Sequence, residues 1–275
     1  MKVSVVIPVH NRKDFVLEAI DSVLAQTHMD LEIIVVDDGS DPEHRTLNTE
    51  HRTLGDKFKY YYRSHRGVAA ARNFGVSVAS GKYIAFLDSD DLWDKKKLEK
   101  QINYLQKHPD FKICHTDEKW LRRGEHLNQL KKHRKYHGRI FDKCLPLCII
   151  SASSIIMEKE IFQDLGGFDE SLPVCEDYDL WLRMALRYPV AYLNEKLVVK
   201  RGGHADQLSQ KYWGMDRFRI RALEKLLRGD LSQEQKDMVR QELKNKYCVL
   251  LLGSWKRKKY LRWLFYKLRS IIALK

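Results

Sequence analysis

The sequence predicts an α/β fold, with a mainly parallel sheet flanked by helices and a helical extension at the C-terminus. Three observations carry this. Short apolar runs recur between segments of helical periodicity, acidic clusters directly follow two of those runs, and from Lys211 onward the pattern is helical throughout. Strands alternating with helices of this length imply βαβ units.

Val3–Ile7 is the first apolar run, and its length and turn-rich border suit a buried strand. Phe15, Ala19 and Val23, with Val16, Ile20 and Leu24 beside them, make the stripe of a helix. Leu31–Val36 is the second strand. Asp41-Pro42-Glu43 carries the marks of a helix start. Lys59–Arg63 is β-prone, Val68–Ser80 is Ala-rich and helical up to Gly81, and Tyr83–Leu87 is the next strand. A helix over Asp94–His108 turns Leu98, Ile102 and Leu105 inward and stops at Pro109, and Phe111–Thr116 returns to strand. Glu118–Arg139, polar and basic, reads as a loop or mobile hairpin. Ser153–Met157 is a strand, Glu158–Leu165 a short helix closed by Gly166-Gly167, and Glu176–Tyr188 a longer helix. Val190–Leu193 and Leu197–Lys200 are short strands. Gly229 and Gly253 are expected to separate the helices of the extension.

At 275 residues, 44% of them hydrophobic, the chain can fill one large α/β core with an appendage, or two small domains. The opening apolar run is too short for a signal peptide and holds Pro8. No run of 18 apolar residues exists, so no spanning helix is expected. Five cysteines, odd in number and irregularly spaced, read as free thiols of a reducing cytoplasm. Without paired Cys-x-x-Cys sets, a zinc site at Cys144 and Cys148 is disfavoured. The net charge of +13 is uneven: Trp255–Lys275 holds eight Lys or Arg and no acid, and Lys119–Arg139 holds eight against Glu125 alone. Such charge calls for an anionic partner or surface.

The acidic clusters are the chemical signal. Leu31–Val36 leads into Asp37-Asp38-Gly39-Ser40, and Tyr83–Leu87 into Asp88-Ser89-Asp90-Asp91. Carboxylates at the carboxyl ends of parallel strands point into the ligand crevice of open α/β sheets. Gathered like charges repel, and a divalent cation holding a phosphate-bearing substrate relieves them. Glu176-Asp177 opens a third acidic group. Acids at helix N-termini are the competing explanation for the Asp88 and Glu176 clusters, and a plain Asp-Gly-Ser turn for the Asp37 cluster.

Five blocks in order carry a resemblance: SVVIPVHNR (4–12), VVDDGSD (35–41), GVAAARNFGVSVASGKYIAFLDSDDLW (67–93), GGFDE (166–170) and CEDYDLWLR (175–183). Together they closely resemble the family 2 glycosyltransferases over residues 1–210. The resemblance implies a glycosyltransferase A-type fold. Its Rossmann-like nucleotide-binding half would occupy 1–117 and its acceptor-binding half 118–210, with the helical extension at 211–275. It further implies inverting transfer of a sugar from a nucleotide diphosphate donor. By the same resemblance, Asp90 is the direct metal ligand for Mn²⁺ or Mg²⁺, and Asp88 lies near the ribose or the metal's water shell. Asp38 would accept the imide N–H of uracil or a similar base, with Pro8, His10 and Arg12 lining that pocket and Arg72 facing the nucleotide. Asp177 would be the catalytic base and Glu176 would orient it or the acceptor, while Asp179, Trp181 and Arg183 support the site. His204 would complete the metal shell or touch the diphosphate, behind a flexible lid at Gly202-Gly203.

The expected reaction moves a sugar from a UDP-sugar to a glycan or lipid-linked acceptor in surface polysaccharide or lipopolysaccharide synthesis. The tail mixes aromatic and basic residues at helical spacing, which suits peripheral contact with an anionic membrane on its cytoplasmic face. Packing on its own domain or a second subunit is the alternative. A nucleotidyltransferase would carry a Gly-rich basic loop after the first strand, where this chain has Pro8-Val9-His10-Asn11-Arg12. Nucleic-acid binding, suggested by charge alone, leaves the ordered acidic clusters unexplained, so no nucleic-acid partner is expected.

Overall fold

The first half lays down β1 (Val3–Val9), α1 (Lys13–Leu24), β2 (Leu31–Asp38), β3 (Phe58–Arg63), α2 (Val68–Ser77), β4 (Tyr83–Phe86), β5 (Leu92–Trp93) and α3 (Lys97–Lys107). The second half adds β6 (Ile113–Arg122), β7 (Glu125–Leu127), α4 (Phe141–Cys144), β8 (Ile156–Glu158), α5 (Lys159–Asp164), α6 (Glu176–Arg187) and β9 (Ala191–Gly202). The helices α7 (Asp216–Leu227), α8 (Gln233–Lys256) and α9 (Tyr260–Ala273) follow. This computed structural model describes residues 1–45, 52–204, 207 and 211–273.

Every residue of β1 and β2 is buried, as expected for central parallel strands covered on both faces. Their side chains alternate between two cores. Val3, Val5 and Ile7, with Ile33 and Val35, pack against Val16 and Ile20 of α1 and Leu98 and Ile102 of α3. Val6, Ile34 and Val36 face the opposite way, toward Ala69 and Val76 of α2. Gly75 permits that approach, since a Cβ there would run into Val6. Phe218, Leu223, Leu243 and Tyr247 of the C-terminal helices join Phe162, Phe168 and Trp181 in the same core.

The nine strands form one sheet in the order β3-β2-β1-β4-β8-β6-β9-β5, with β7 beside β6. The parallel arrangement holds from β3 to β4. Beyond β4 the sheet is mixed, because β8 starts at the carboxyl end of β4 and runs antiparallel to it. Pro42–His44 is a single 3₁₀ turn. The polar segment after Glu118 is in part a hairpin, in which β6 runs to Arg122 and turns through Arg123-Gly124 into β7. The two short strands expected at 190–200 are one strand, β9, and register shifts at Thr116–Glu118 of β6 absorb the polar residues in its middle. α8 runs straight through Gly253 and breaks at Arg257-Lys258, where Lys258 takes φ 54°. Ser232 starts α8 with a capping box, its hydroxyl accepting from the Gln235 N–H while the Gln235 side chain accepts from its own. Among the described residues no helix is long and apolar enough to cross a membrane.

Candidate active site

The carboxyl ends of β1, β2 and β4 and the N-terminus of α6 converge on one cleft of about 1400 Å³. Pro8, His10, Arg12, Asp38, Arg72, Asp88, Asp90, Glu176 and Asp177 all line it. His204 does not. Its ring packs against Phe15 at 4.5 Å between centroids. Of the expected lid, Gly202 ends β9 and Gly203 follows it at φ 90°; residues 205–206 and 208–210 lie outside the described residues.

The turn after β2 is fixed by its own acids. Asp37 accepts from the Ser40 N–H at 2.8 Å and from the Tyr60 hydroxyl at 2.6 Å. Gly39 has φ 82°, and a Cβ there would lie 2.6 Å from the His65 nitrogen, so only glycine fits. Asp38 accepts from the Arg66 and Gly67 N–H groups at 2.9 and 2.8 Å, which fastens the entry of α2 to the end of β2. A carboxylate keeps lone pairs beyond those two bonds. His10 and His65 both bring Nδ1 to the Asp38 carbonyl, and their rings lie 4.4 Å apart. Asn11, between His10 and Arg12, sits at φ 53° with its N–H donated to the Ser40 hydroxyl.

After β4 come the three aspartates. One carboxylate oxygen from each of Asp88, Asp90 and Asp91 lies within 4.8 Å of the others. Burial and the Asp88 charge hold Asp90 above the usual carboxylate range, despite Arg12 at 2.7 Å. Burial and the neighbouring aspartates hold Asp91 well above it. Asp88 is lowered, because Arg72, Lys200 and Arg12 outweigh its burial. Asp91 is aimed by the Ser153 hydroxyl at 2.6 Å and the Arg201 N–H at 3.0 Å. Hard oxygen donors in this number suit Mg²⁺ or Mn²⁺, whose charge would oppose the crowding that raises Asp90 and Asp91. In this arrangement Asp91 takes the third position that sequence reading gave to His204.

Arg72 joins the two sides of the cleft. Its guanidinium is buried and donates to Asp88 and to Glu176, each at 2.6 Å. Burial and the adjacent Asp177 nevertheless push Glu176 up to about 7. Cys175, which caps α6, adopts φ 64° and ψ 19°, a left-handed conformation costly for a residue with a Cβ. That strain sits immediately before Glu176-Asp177. Asp177 Oδ1 accepts from the Tyr178 N–H at 2.7 Å, and Cys148 Sγ lies 3.3 Å from Oδ2. Burial and the Asp177 charge keep Cys148 a thiol, so it can donate there.

Sequence reasoning missed Lys200, Cys148, Asp91 and Ser153. Lys200 lies among Glu118, Asp91, Asp88 and Asp177, whose charges overcome its burial and raise its pKa. One signal was available. Lys200 ends the apolar run Leu197-Val198-Val199, as the acidic clusters end theirs. Cys148 and Ser153 left no local signal. The site thus combines a polar pocket at the strand ends, a hard-ligand triad, and a carboxylate pair linked to the triad by one arginine.

Residues 4–166 match the family model described as Glycosyl transferase family 2. An uncharacterized glycosyltransferase of Rickettsia felis is 34% identical over 214 residues, covering 76% of this chain and 35% of its own length. The chain thus spans about a third of that relative. The Escherichia coli protein WfgD, described as a UDP-Glc:alpha-D-GlcNAc-diphosphoundecaprenol beta-1,3-glucosyltransferase, is 29% identical over 196 residues. That alignment covers 70% of this chain and 73% of WfgD. Among solved structures, S. aureus TarS in complex with UDP-GlcNAc superposes with a TM-score of 0.80 at 19% identity, covering all of this chain and 82% of that one. The fold is therefore of the glycosyltransferase A type, and the chain belongs to glycosyl transferase family 2.

Proposed function

We propose that the chain transfers a sugar with inversion from a UDP-sugar to a hydroxyl of a glycan or lipid-linked acceptor in cell-surface polysaccharide synthesis. It would work peripherally, at the cytoplasmic face of the membrane. The observation that carries this reading is the Arg72 bridge, which ties the aspartate triad to Glu176-Asp177 across a single cleft. UDP-GlcNAc in TarS and the UDP-Glc and diphosphoundecaprenol named for WfgD support the choice of donor and acceptor.

Asp88, Asp90 and Asp91 would hold Mn²⁺ or Mg²⁺, which when bound supplies Lewis-acid charge neutralisation for a diphosphate. Pro8, His10, Arg12 and Asp38 form the base and ribose pocket, with Asp38 offering its remaining lone pairs to a base N–H. Lys200, between triad and base, supplies positive charge where the leaving diphosphate gains negative charge. Asp177 takes the proton of the attacking hydroxyl. Arg72 and the Cys148 thiol hold the Glu176 and Asp177 carboxylates in place, so that Asp177 keeps a free lone pair toward the acceptor. The nucleotide-binding half (1–117), the acceptor half (118–210) and the extension (211–275) are the working divisions.

The experiment is a transfer assay with UDP-sugars and Mn²⁺, the product's anomeric configuration read by NMR, on the natural chain and on Asp177→Asn. Inverted product is expected, and Asp177→Asn should lower kcat by about 10²–10⁴-fold while UDP binding persists. Retained configuration, or normal turnover in the variant, would contradict the assignment.

A further inference from the structure

The helix α9 is amphipathic in the inverse sense. Its polar and aromatic side faces the protein. Arg262 stacks over Trp213 at 3.8 Å, Arg269 pairs with Glu224 of α7, and Tyr266 and Ser270 are buried. Its outward stripe is Leu261, Leu264, Phe265, Leu268 and Ile272, at helical spacing, with Leu261 86% and Ile272 76% exposed. The last two turns of α8 expose Val249, Leu252 and Trp255 as well. Contiguous apolar surface of this kind marks an interaction site.

Charge identifies the occupant. After Glu242 the chain has no Asp or Glu, and Lys256-Arg257-Lys258-Lys259, all exposed, separate α8 from α9. Trp255 lies 5.4 Å from Tyr260 and 5.8 Å from Trp263, a ring cluster at the start of the stripe. Apolar stripe, basic flank and aromatic end together fit an anionic bilayer, with the stripe at the acyl boundary and the cations among headgroups. The Arg262–Trp213 stack connects this face to the cleft, since Tyr212, next in the chain, lines it.

We propose that α9 lies in the plane of an anionic membrane surface, its outward stripe buried in the interface, and seats the acceptor side of the cleft there. Its purpose rests on the lipid-linked acceptor reading, whereas its binding does not. The test is flotation of the full chain with phosphatidylcholine vesicles, with and without phosphatidylglycerol, alongside light scattering and UDP titration. The variants are Phe265→Ser/Leu268→Ser and Lys256→Ser/Lys259→Ser, all at exposed positions. Flotation should need the anionic lipid and weaken with salt. The apolar pair of substitutions should cut partitioning on the order of ten-fold or more, with UDP affinity unchanged. Three results would overturn the proposal: no flotation of the natural chain, flotation that both variants retain, or a solution dimer that the apolar variant dissociates, which would assign the stripe to a second copy. Flotation without UDP binding would overturn the donor reading and leave this one standing.

Discussion

Asp38 and Glu118 are both buried carboxylates, Asp38 lining the cleft and Glu118 interacting with Lys200, which lines it too, yet they are held in different ways. Asp38 is fixed chiefly by backbone, accepting the N–H groups of the loop that enters α2, with the His65 ring 2.9 Å from one carboxylate oxygen, and Asp37 beside it accepts the N–H of its own turn. Glu118 is held by side chains: Lys135 at 3.1 Å and the Ser151 hydroxyl from other segments, and the Trp120 indole at 2.7 Å from two residues along its own strand. The pattern extends beyond these two. At the ends of β1, β2 and β4, turns that follow buried strands make the wall. At the N-terminus of α6, Glu176 hangs from Arg72 and Asp179 from Arg183 and Lys225. Backbone hydrogen bonds come with the fold, but a side-chain network fails when one partner goes, because the remaining charge is left buried and unpaired.

The sharpest way to break the comparison is to remove Lys135. Lys135→Met should cost about 3–5 kcal/mol in denaturant unfolding, because Glu118 keeps its burial and loses its nearest cation. A cost below about 1 kcal/mol would mean that this side-chain network does not depend on its ion pairs.

Acid gives a second view of the same residue. Burial pushes Glu118 up, but Lys135, Lys200 and the Ser151 and Trp120 hydrogen bonds bring it down to about 2 from an ordinary 4.5. A depressed carboxylate stabilises the fold above its unfolded pKa, and that stability is lost as pH falls through the folded value. The natural chain should therefore lose this contribution between pH 4.5 and about 2. In Lys135→Met the folded value should rise toward 4.5, so this acid-dependent loss should shrink, and an equal pH dependence of the unfolding free energy in the two proteins would remove Lys135 as the cause.

The smallest effect belongs at the turn after β2. Tyr60→Phe deletes one hydrogen bond to Asp37, whose Ser40 N–H contact remains, so unfolding should shift by only about 1 kcal/mol. A loss as large as that of Lys135→Met would erase the contrast between the walls.

The same contrast explains what could be read from the sequence. Apolar runs of β1, β2 and β4 announce themselves because parallel strands are buried on both faces, and the acids that follow them fall where the crevice must be. Cys148 and Ser153 were invisible because their partners are far along the chain; Ser153 meets Asp91 across 62 residues and Cys148 meets Asp177 across 29. The strain at Cys175 is a backbone property that a cysteine does not advertise. His204 was assigned by resemblance to the family; here its ring packs against Phe15. For α9 the periodicity shows two faces without saying which meets the protein, and the Arg269–Glu224 and Arg262–Trp213 contacts decide it.

The central claim is that the triad at the end of β4 holds a metal that brings a nucleoside diphosphate into the cleft. Calorimetric titration of UDP, with Mn²⁺ and then with EDTA, on the natural chain and on Asp90→Ala tests it most directly. The account predicts UDP binding that requires Mn²⁺ and is lost in Asp90→Ala. UDP binding of equal strength in EDTA and in Asp90→Ala would contradict it.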